Sequence, residues 1–227
     1  MHILLSGIVG STAYGLAGPD SDVDRLGIFA APTQEFHGLH RPKESVVTTA
    51  PDKTMHEAAK WARLALGCNP TAMELAWLPD HLYEVRTTLG DELIEMRSTL
   101  LSAPRVRDAY LGYAVKQFQK LQNRGDGTFA SDLRKRTAKH ARHLARLAHQ
   151  GAELYKTGHL RIELEDPQWY HDFGNQVADG DIDAAARLLA GAEQWISSGR
   201  SPLPERADEG PIEAWLRRVR LACLAEA

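Results

Sequence analysis

The chain has 227 residues, of which 43% are hydrophobic and 25% charged, with a formal net charge of −3. That length and balance suffice for a buried core in one domain or two small ones, and they exclude a surface coated with positive charge for unspecific nucleic-acid binding. No apolar run approaches the ~20 residues of a membrane helix, MHILLSGIVG lacks a basic leader, and Cys68 and Cys223 stand far apart without CxxC spacing; a cytoplasmic protein with reduced thiols and no membrane partner is expected.

In chain order, HILLSGI reads as a short apolar strand and DRLGIFAAP as a second, with a Gly-, Ser-, Asp- and Pro-rich loop between them. SVVTT is a third strand. Thr54 to Gly67 then places Met55, Ala58, Ala59, Ala62, Leu64, Ala65 and Leu66 at helical spacing, and Asn69-Pro70 ends that helix. From Leu89 onward the periodicity becomes helical in DELIEMRSTLL, VRDAYLGYAVKQFQKLQ, Ser131 to Thr157, DIDAAARLLAGAEQWI and IEAWLRRVRLACL. HLRIELED, alternating Leu160, Ile162 and Leu164, fits a short strand or extended arm, and SGRSPLPERADEGP reads as a flexible connector. The expected fold class is therefore α+β: a small mixed-sheet core over 1–88, followed by a mainly helical C-terminal lobe over 89–227.

The chemistry concentrates in GSTAYGLAGPDSDVDRLGIF. With Asp22 to Phe29 extended, Asp22 and Asp24 project to one face as paired carboxylates. Such hard oxygen ligands suit Mg²⁺, which takes one or two protein carboxylates and fills its octahedron with phosphates and water. Gly10 and Ser11, directly after the first strand, offer backbone N–H groups and a hydroxyl to phosphate oxygens. Asp-x-Asp beside Pro and Gly also occurs in plain turns, but the ordered set of strand, Gly-Ser, short loop, Ser-Asp-x-Asp and strand asks for more than a turn does. A dinucleotide fold and a Walker loop are both excluded: G-x-G-x-x-G and Gly-Lys-Ser/Thr are absent, and too few residues separate Ser11 from Asp22 for a crossover helix.

These residues resemble the DNA polymerase β nucleotidyltransferase superfamily, whose signature is Gly-Ser, a short spacer and Asp-x-Asp. The longer pattern, continued by DKTMHEAAKWARLALGCNPTAMELAWLP, is similar to a bacterial and phage family of predicted nucleotidyltransferases, chiefly over the first eighty residues. The resemblance implies transfer of a nucleoside monophosphate from a nucleoside triphosphate, such as ATP, with release of pyrophosphate by two-metal catalysis. Mg²⁺ is the implied cofactor, with Mn²⁺ as a substitute. It also implies a third carboxylate: Asp52 is the first choice for catalysis and metal binding beside Asp22 and Asp24, and Glu57 the alternative. Either could instead be structural, Asp52 as a helix N-cap and Glu57 as a solvated helix residue. The acceptor is left open among RNA, a protein and a small molecule; a toxin-like tRNA-modifying transferase and an inactive nucleotide-binding remnant are the competing functions.

Basic residues crowd Arg134 to Arg146, whereas acids dominate Glu163 to Asp183. At about 100° per residue Arg136, Lys139, His143, Arg146 and Gln150 share one stripe of the long helix, opposite an apolar stripe. The resemblance extends to Lys139, His143 and Arg146, which implies phosphate binding by Lys139 and Arg146 with His143 positioning them. A solvated cationic face is the plain alternative. His140 is expected to pack in the core, Tyr14 to shape the phosphate loop or cover the core, Glu74 to be a surface carboxylate or a partner for a basic side chain, and all five tryptophans to contribute packing.

Overall fold

The computed structural model describes residues 2–19, 21–122 and 130–224. The fold is α+β, a five-stranded mixed sheet followed by a mainly helical region. The chain forms two compact units, Met1–Leu101 with Arg206–Ala227, and Ser102–Glu205. The partition into 1–88 and 89–227 differs from these units at both ends, because the segment 89–101 and the last helix are compact with the sheet.

In the first unit the strands are β1 (His2–Val9), β2 (Asp24–Ala30), β3 (Ser45–Thr49), β4 (Asp52–Glu57) and β5 (Tyr83–Arg86), in the order β3-β4-β2-β1-β5. β1 and β2 are antiparallel and central, with Leu4 to Gly7 and Leu26 to Ala30 buried in unbroken runs because both sheet faces are covered. β3 is an edge strand, and Val47 is exposed there. β4 pairs with β3 antiparallel and with β2 parallel, and this double pairing overrides the helix expected from Thr54. Met55 and Ala58 share helical spacing, but within 52–57 burial alternates, Met55 and Glu57 inside and His56 between them, as on a strand.

Helix α2 (Ala58–Leu66) starts only where the Glu57 carboxylate accepts the Ala59 N–H at 2.9 Å. Asn69 caps the next helix rather than ending the previous one: its Oδ1 accepts the Ala72 N–H of α3 (Pro70–Glu74), and Pro70 takes the first helical position. A short α1 (Gly10–Tyr14) follows β1, and α4 (Thr88–Glu95) packs on β1. The C-terminal α9 (Glu209–Ala222) buries Ile212, Trp215 and Val219 in this unit. Its Trp215 Nε1–H donates to the Leu89 carbonyl at 2.8 Å, and Arg218 pairs with Glu92 at 2.7 Å.

The second unit contains α5 (Ala103–Gln122), α6 (Ala130–Thr157), α7 (Pro167–Ala178) and α8 (Ile182–Ser197), with α6 packed against the other three. Residues 159–166 form an irregular arm, with bends at Glu163 and Glu165, and are not a strand. Leu160 and Ile162 are buried, and the arm's Arg161 carbonyl accepts from Gln150 Nε2 at 2.7 Å. Helix α7 was not expected from the sequence, although Asp166 caps it, Pro167 opens it, and Tyr170, Phe173 and Val177 line its buried side. Ser201 Oγ donates to the Tyr155 carbonyl, and the Ala103 N–H donates to Pro204 at 2.9 Å, so the 198–205 stretch is tied into this unit. Cys68 and Cys223 are buried and are not in a disulfide. Among the described residues no helix is long and apolar enough to cross a membrane.

Candidate active site

The site is built at one edge of the sheet. Asp24 opens β2 and pairs with Val9, the last residue of β1, so the chain enters Gly10-Ser11 beside the Asp24 carboxylate. The fit is close. Gly10 has φ +69°, and a Cβ on it would stand 2.2 Å from Asp24 Oδ2 and 3.1 Å from Cγ. Glycine is required there on two counts: the left-handed backbone and the carboxylate occupying the side-chain volume. Asp22, expected on the strand, lies two residues ahead of it and is exposed. Its presentation depends on a turn in which Ser21 Oγ accepts the Gly18 N–H at 2.9 Å and the Ser21 N–H donates to the Gly18 carbonyl at 3.0 Å.

The parallel pairing of β2 with β4 separates the two candidates for the third carboxylate. Arg25 is level with Lys53, and Asp24 and Asp52, each one residue earlier, open these two neighbouring strands, which lie about 4.8 Å apart. Asp52 is exposed and opens β4, so it is not a helix N-cap. Glu57 is five residues farther along, about 17 Å at the rise of a strand, and is buried rather than solvated. One of its oxygens caps α2 and the other holds Arg220 Nη1 at 2.6 Å, while the Arg220 guanidinium lies over the Phe36 ring at 4.1 Å. Glu57 therefore joins β4, α2 and α9. Among the described residues no three His, Cys, Asp or Glu side chains form a ready-made metal cage.

Two supports of the loop were not read from the sequence. Tyr14, at the end of α1, donates its hydroxyl to Glu74, and both side chains are buried, so Glu74 is not a surface carboxylate. This fixes the helix that carries Ser11 against α3. Arg25 Nε donates to Glu84 at 2.7 Å, bridging β2 to β5 past the intervening β1. A carboxylate 59 or 60 residues away carries no local signal, which is why sequence spacing did not reveal either partner.

In the second unit the expected basic stripe divides. Arg136 and Lys139 are exposed, but Arg146 and Gln150 are buried. Arg146 Nη1 donates to Gln150 Oε1 at 2.7 Å, and Nη2 lies 3.2 Å from His143 Nδ1. Burial first, then the positive field of Arg146 and neighbouring Lys120 and Lys139, pushes the His143 pKa down to about 3. His143 is thus a neutral acceptor in a buried network that ends on the 159–166 arm. His140 is half-buried, with Nδ1 3.0 Å from Gln117 Oε1. Beside it, Tyr113, Lys116, Gln119 and Lys120 help to line a polar cavity of about 580 Å³.

A mixed sheet that brings Gly-Ser beside the second acid of an Asp-x-Asp, at the start of a strand, defines a DNA polymerase β-type nucleotidyltransferase core. The family model of RlaP, described as the RNA repair pathway DNA polymerase beta family, matches residues 1–167, and the chain belongs to that family. No curated protein matches the chain.

Proposed function

We propose that this protein transfers a nucleoside monophosphate from a nucleoside triphosphate to an RNA hydroxyl, releasing pyrophosphate. The observation that carries the reading is that Asp24 and Asp52 open neighbouring parallel strands, with Gly10 packed against the Asp24 carboxylate. Asp22, Asp24 and Asp52 would supply oxygen donors of the kind Mg²⁺ takes, with substrate phosphates and water completing the coordination. When bound, the metal neutralises the triphosphate and lowers the pKa of the acceptor hydroxyl.

The chain's own groups do the rest. Gly10 leaves its loop backbone open to a phosphate, and the Ser11 hydroxyl donates to one of its oxygens. Asp52, exposed at its strand start, takes the hydroxyl proton as the acceptor oxygen attacks the α-phosphorus and the bond to the β-phosphate bridge breaks. The Tyr14–Glu74 contact holds the loop in place through the reaction.

RNA as acceptor is supported by the family description and by the Lys116 and Lys120 cavity, where cations can neutralise a phosphodiester backbone. Exposed Lys139 contributes to the same basic character, whereas Arg146 and His143 act through the helix and arm they join. Parallel reactions with α-labelled and γ-labelled triphosphate, Mg²⁺ and RNA test this reading. The α-label should become covalently attached to RNA and the γ-label should leave in pyrophosphate; attachment of the γ-label, or of neither, would reject it.

A further inference from the structure

The second unit contains a cavity of about 790 Å³ between α6, the 159–166 arm, α7 and α8, a volume within the usual range for a small-molecule site. A third of its wall, including Trp169, Tyr170 and Trp195, lies beyond residue 167, where the match to the family ends. Four rings line it: His149, Trp169, Tyr170 and Trp195. The two tryptophans are not core residues, since Trp169 is 39% and Trp195 59% exposed.

The wall around Trp169 is preorganised. Trp169 stacks on Phe173 with 12° between planes, meets Tyr170 edge-on at 4.9 Å and lies 5.1 Å from the His149 ring. His149 Nδ1 and the Tyr170 hydroxyl are 2.8 Å apart. Burial lowers the His149 pKa and raises that of Tyr170 to about 12, so this wall is neutral near neutral pH.

The rim carries Glu153, Glu163, Glu165 and Asp166 against Lys156 and Arg161. Arg161 already pairs with Glu153 and Glu165, Asp166 caps α7, and Lys156 Nζ sits 5.3 Å above the Trp195 ring. A cationic guest would duplicate what Lys156 supplies, and a phosphate would meet four carboxylates and two cations. What the cavity offers a guest is aromatic surface ringed by carboxylate acceptors, which suits a flat, uncharged heterocycle bearing N–H donors.

We propose that this cavity is a nucleobase site, in which an unpaired base stacks on the Trp195 and Trp169 side chains while its phosphates remain outside. That the base belongs to an RNA acceptor rests on the function proposed above; the base site itself does not.

Equilibrium dialysis of the full chain with labelled adenosine, AMP and ATP, in EDTA to keep metal-dependent binding out, tests the assignment. Adenosine should bind at least as well as AMP, and ATP most weakly. Trp195→Ala should weaken adenosine binding on the order of tenfold, as expected for loss of a base-stacking ring. Gly191 lines the cavity and its Cβ position is open, so Gly191→Phe should fill the site without strain in α8 and abolish binding. The Asp22→Asn, Asp24→Asn double variant should bind adenosine normally, which separates failure of this site from failure of the transferase site. An unstructured tetranucleotide binding more tightly than adenosine identifies the base as part of a strand; the reverse order identifies a free nucleoside, and both support the nucleobase assignment. No adenosine binding at millimolar concentration, unchanged binding in Gly191→Phe, or tightest binding of ATP would overturn it.

Discussion

Replacing Gly10 by alanine separates a local backbone penalty from a displaced carboxylate. A non-glycine residue at φ +69° costs about 1–2 kcal/mol. In addition, a Cβ placed 2.2 Å from Asp24 Oδ2 must push that oxygen away by about 1 Å to restore ordinary contact. A 1 Å misplacement of a catalytic group costs on the order of a hundredfold in rate. Gly158→Ala is the control: it has φ +71°, but its Cβ would meet only Leu203 Cδ2 at 3.4 Å. For a chain of this size each kcal/mol lowers Tm by about 2–4 °C, so both variants should lose roughly 2–8 °C by calorimetry. Only Gly10→Ala should lose about two orders of magnitude in label transfer to RNA. Equal activity in the two variants, or an equal loss in both, would refute the argument that Gly10 is glycine because of Asp24.

Removing a carboxylate should also act differently at Asp52 and Glu57. Glu57→Gln leaves Arg220 without its buried counter-charge and should destabilise the first unit by about 3–5 kcal/mol, read from denaturant midpoints, whereas Asp52→Asn, at an exposed site, should leave the midpoint nearly unchanged. His143 sets a pH dependence. Its folded pKa of about 3 lies below the unfolded value of 6.5, so between those values the unfolded chain binds more protons and stability falls as pH drops through this window. His143→Gln should flatten that slope in unfolding curves taken from pH 7 to pH 4. Lys116→Ala with Lys120→Ala should weaken RNA binding and reduce its log–log salt slope by about 1.4, the value for two single-strand phosphate contacts, without changing triphosphate affinity.

The parts of this molecule legible in the sequence are those specified locally. HILLSGI and DRLGIFA read as strands because each carries a short apolar run, and α5, α6, α8 and α9 as helices because their apolar residues recur at helical spacing. The turn at Gly10-Ser11 is also set by adjacent residues, but β2 starts at Asp24 and not at Asp22. β4 is not legible in this way, since Asp52–Glu57 becomes a strand only by pairing on both sides with β2 and β3. The reading of Asp52 against Glu57 turns on that strand: a helix from Thr54 would leave Glu57 solvated, whereas β4 opens at Asp52 and buries Glu57 against Arg220. Periodicity also put Arg146 on the same stripe as Lys139, yet the arm at 159–166 covers one end of that stripe through Gln150 and leaves the other exposed. The aromatic cavity has no local signature, because Trp169 and Trp195 are far apart in sequence and come to line one cavity only through the packing of α6, α7 and α8.

The central claim, that the carboxylates of the β2–β4 edge carry nucleotidyl transfer, is tested most directly by single-turnover rates of α-label transfer to RNA. The proteins to compare are the native chain, Asp24→Asn, Asp52→Asn and Glu57→Gln, under conditions where all are shown to be folded. The account predicts a loss of at least 10²–10³-fold for Asp24→Asn and Asp52→Asn, the scale for removing one preorganised electrostatic group. Folded Glu57→Gln should transfer at a rate near the native one. Near-native transfer by Asp24→Asn, or a loss in folded Glu57→Gln as deep as that in Asp52→Asn, would contradict it.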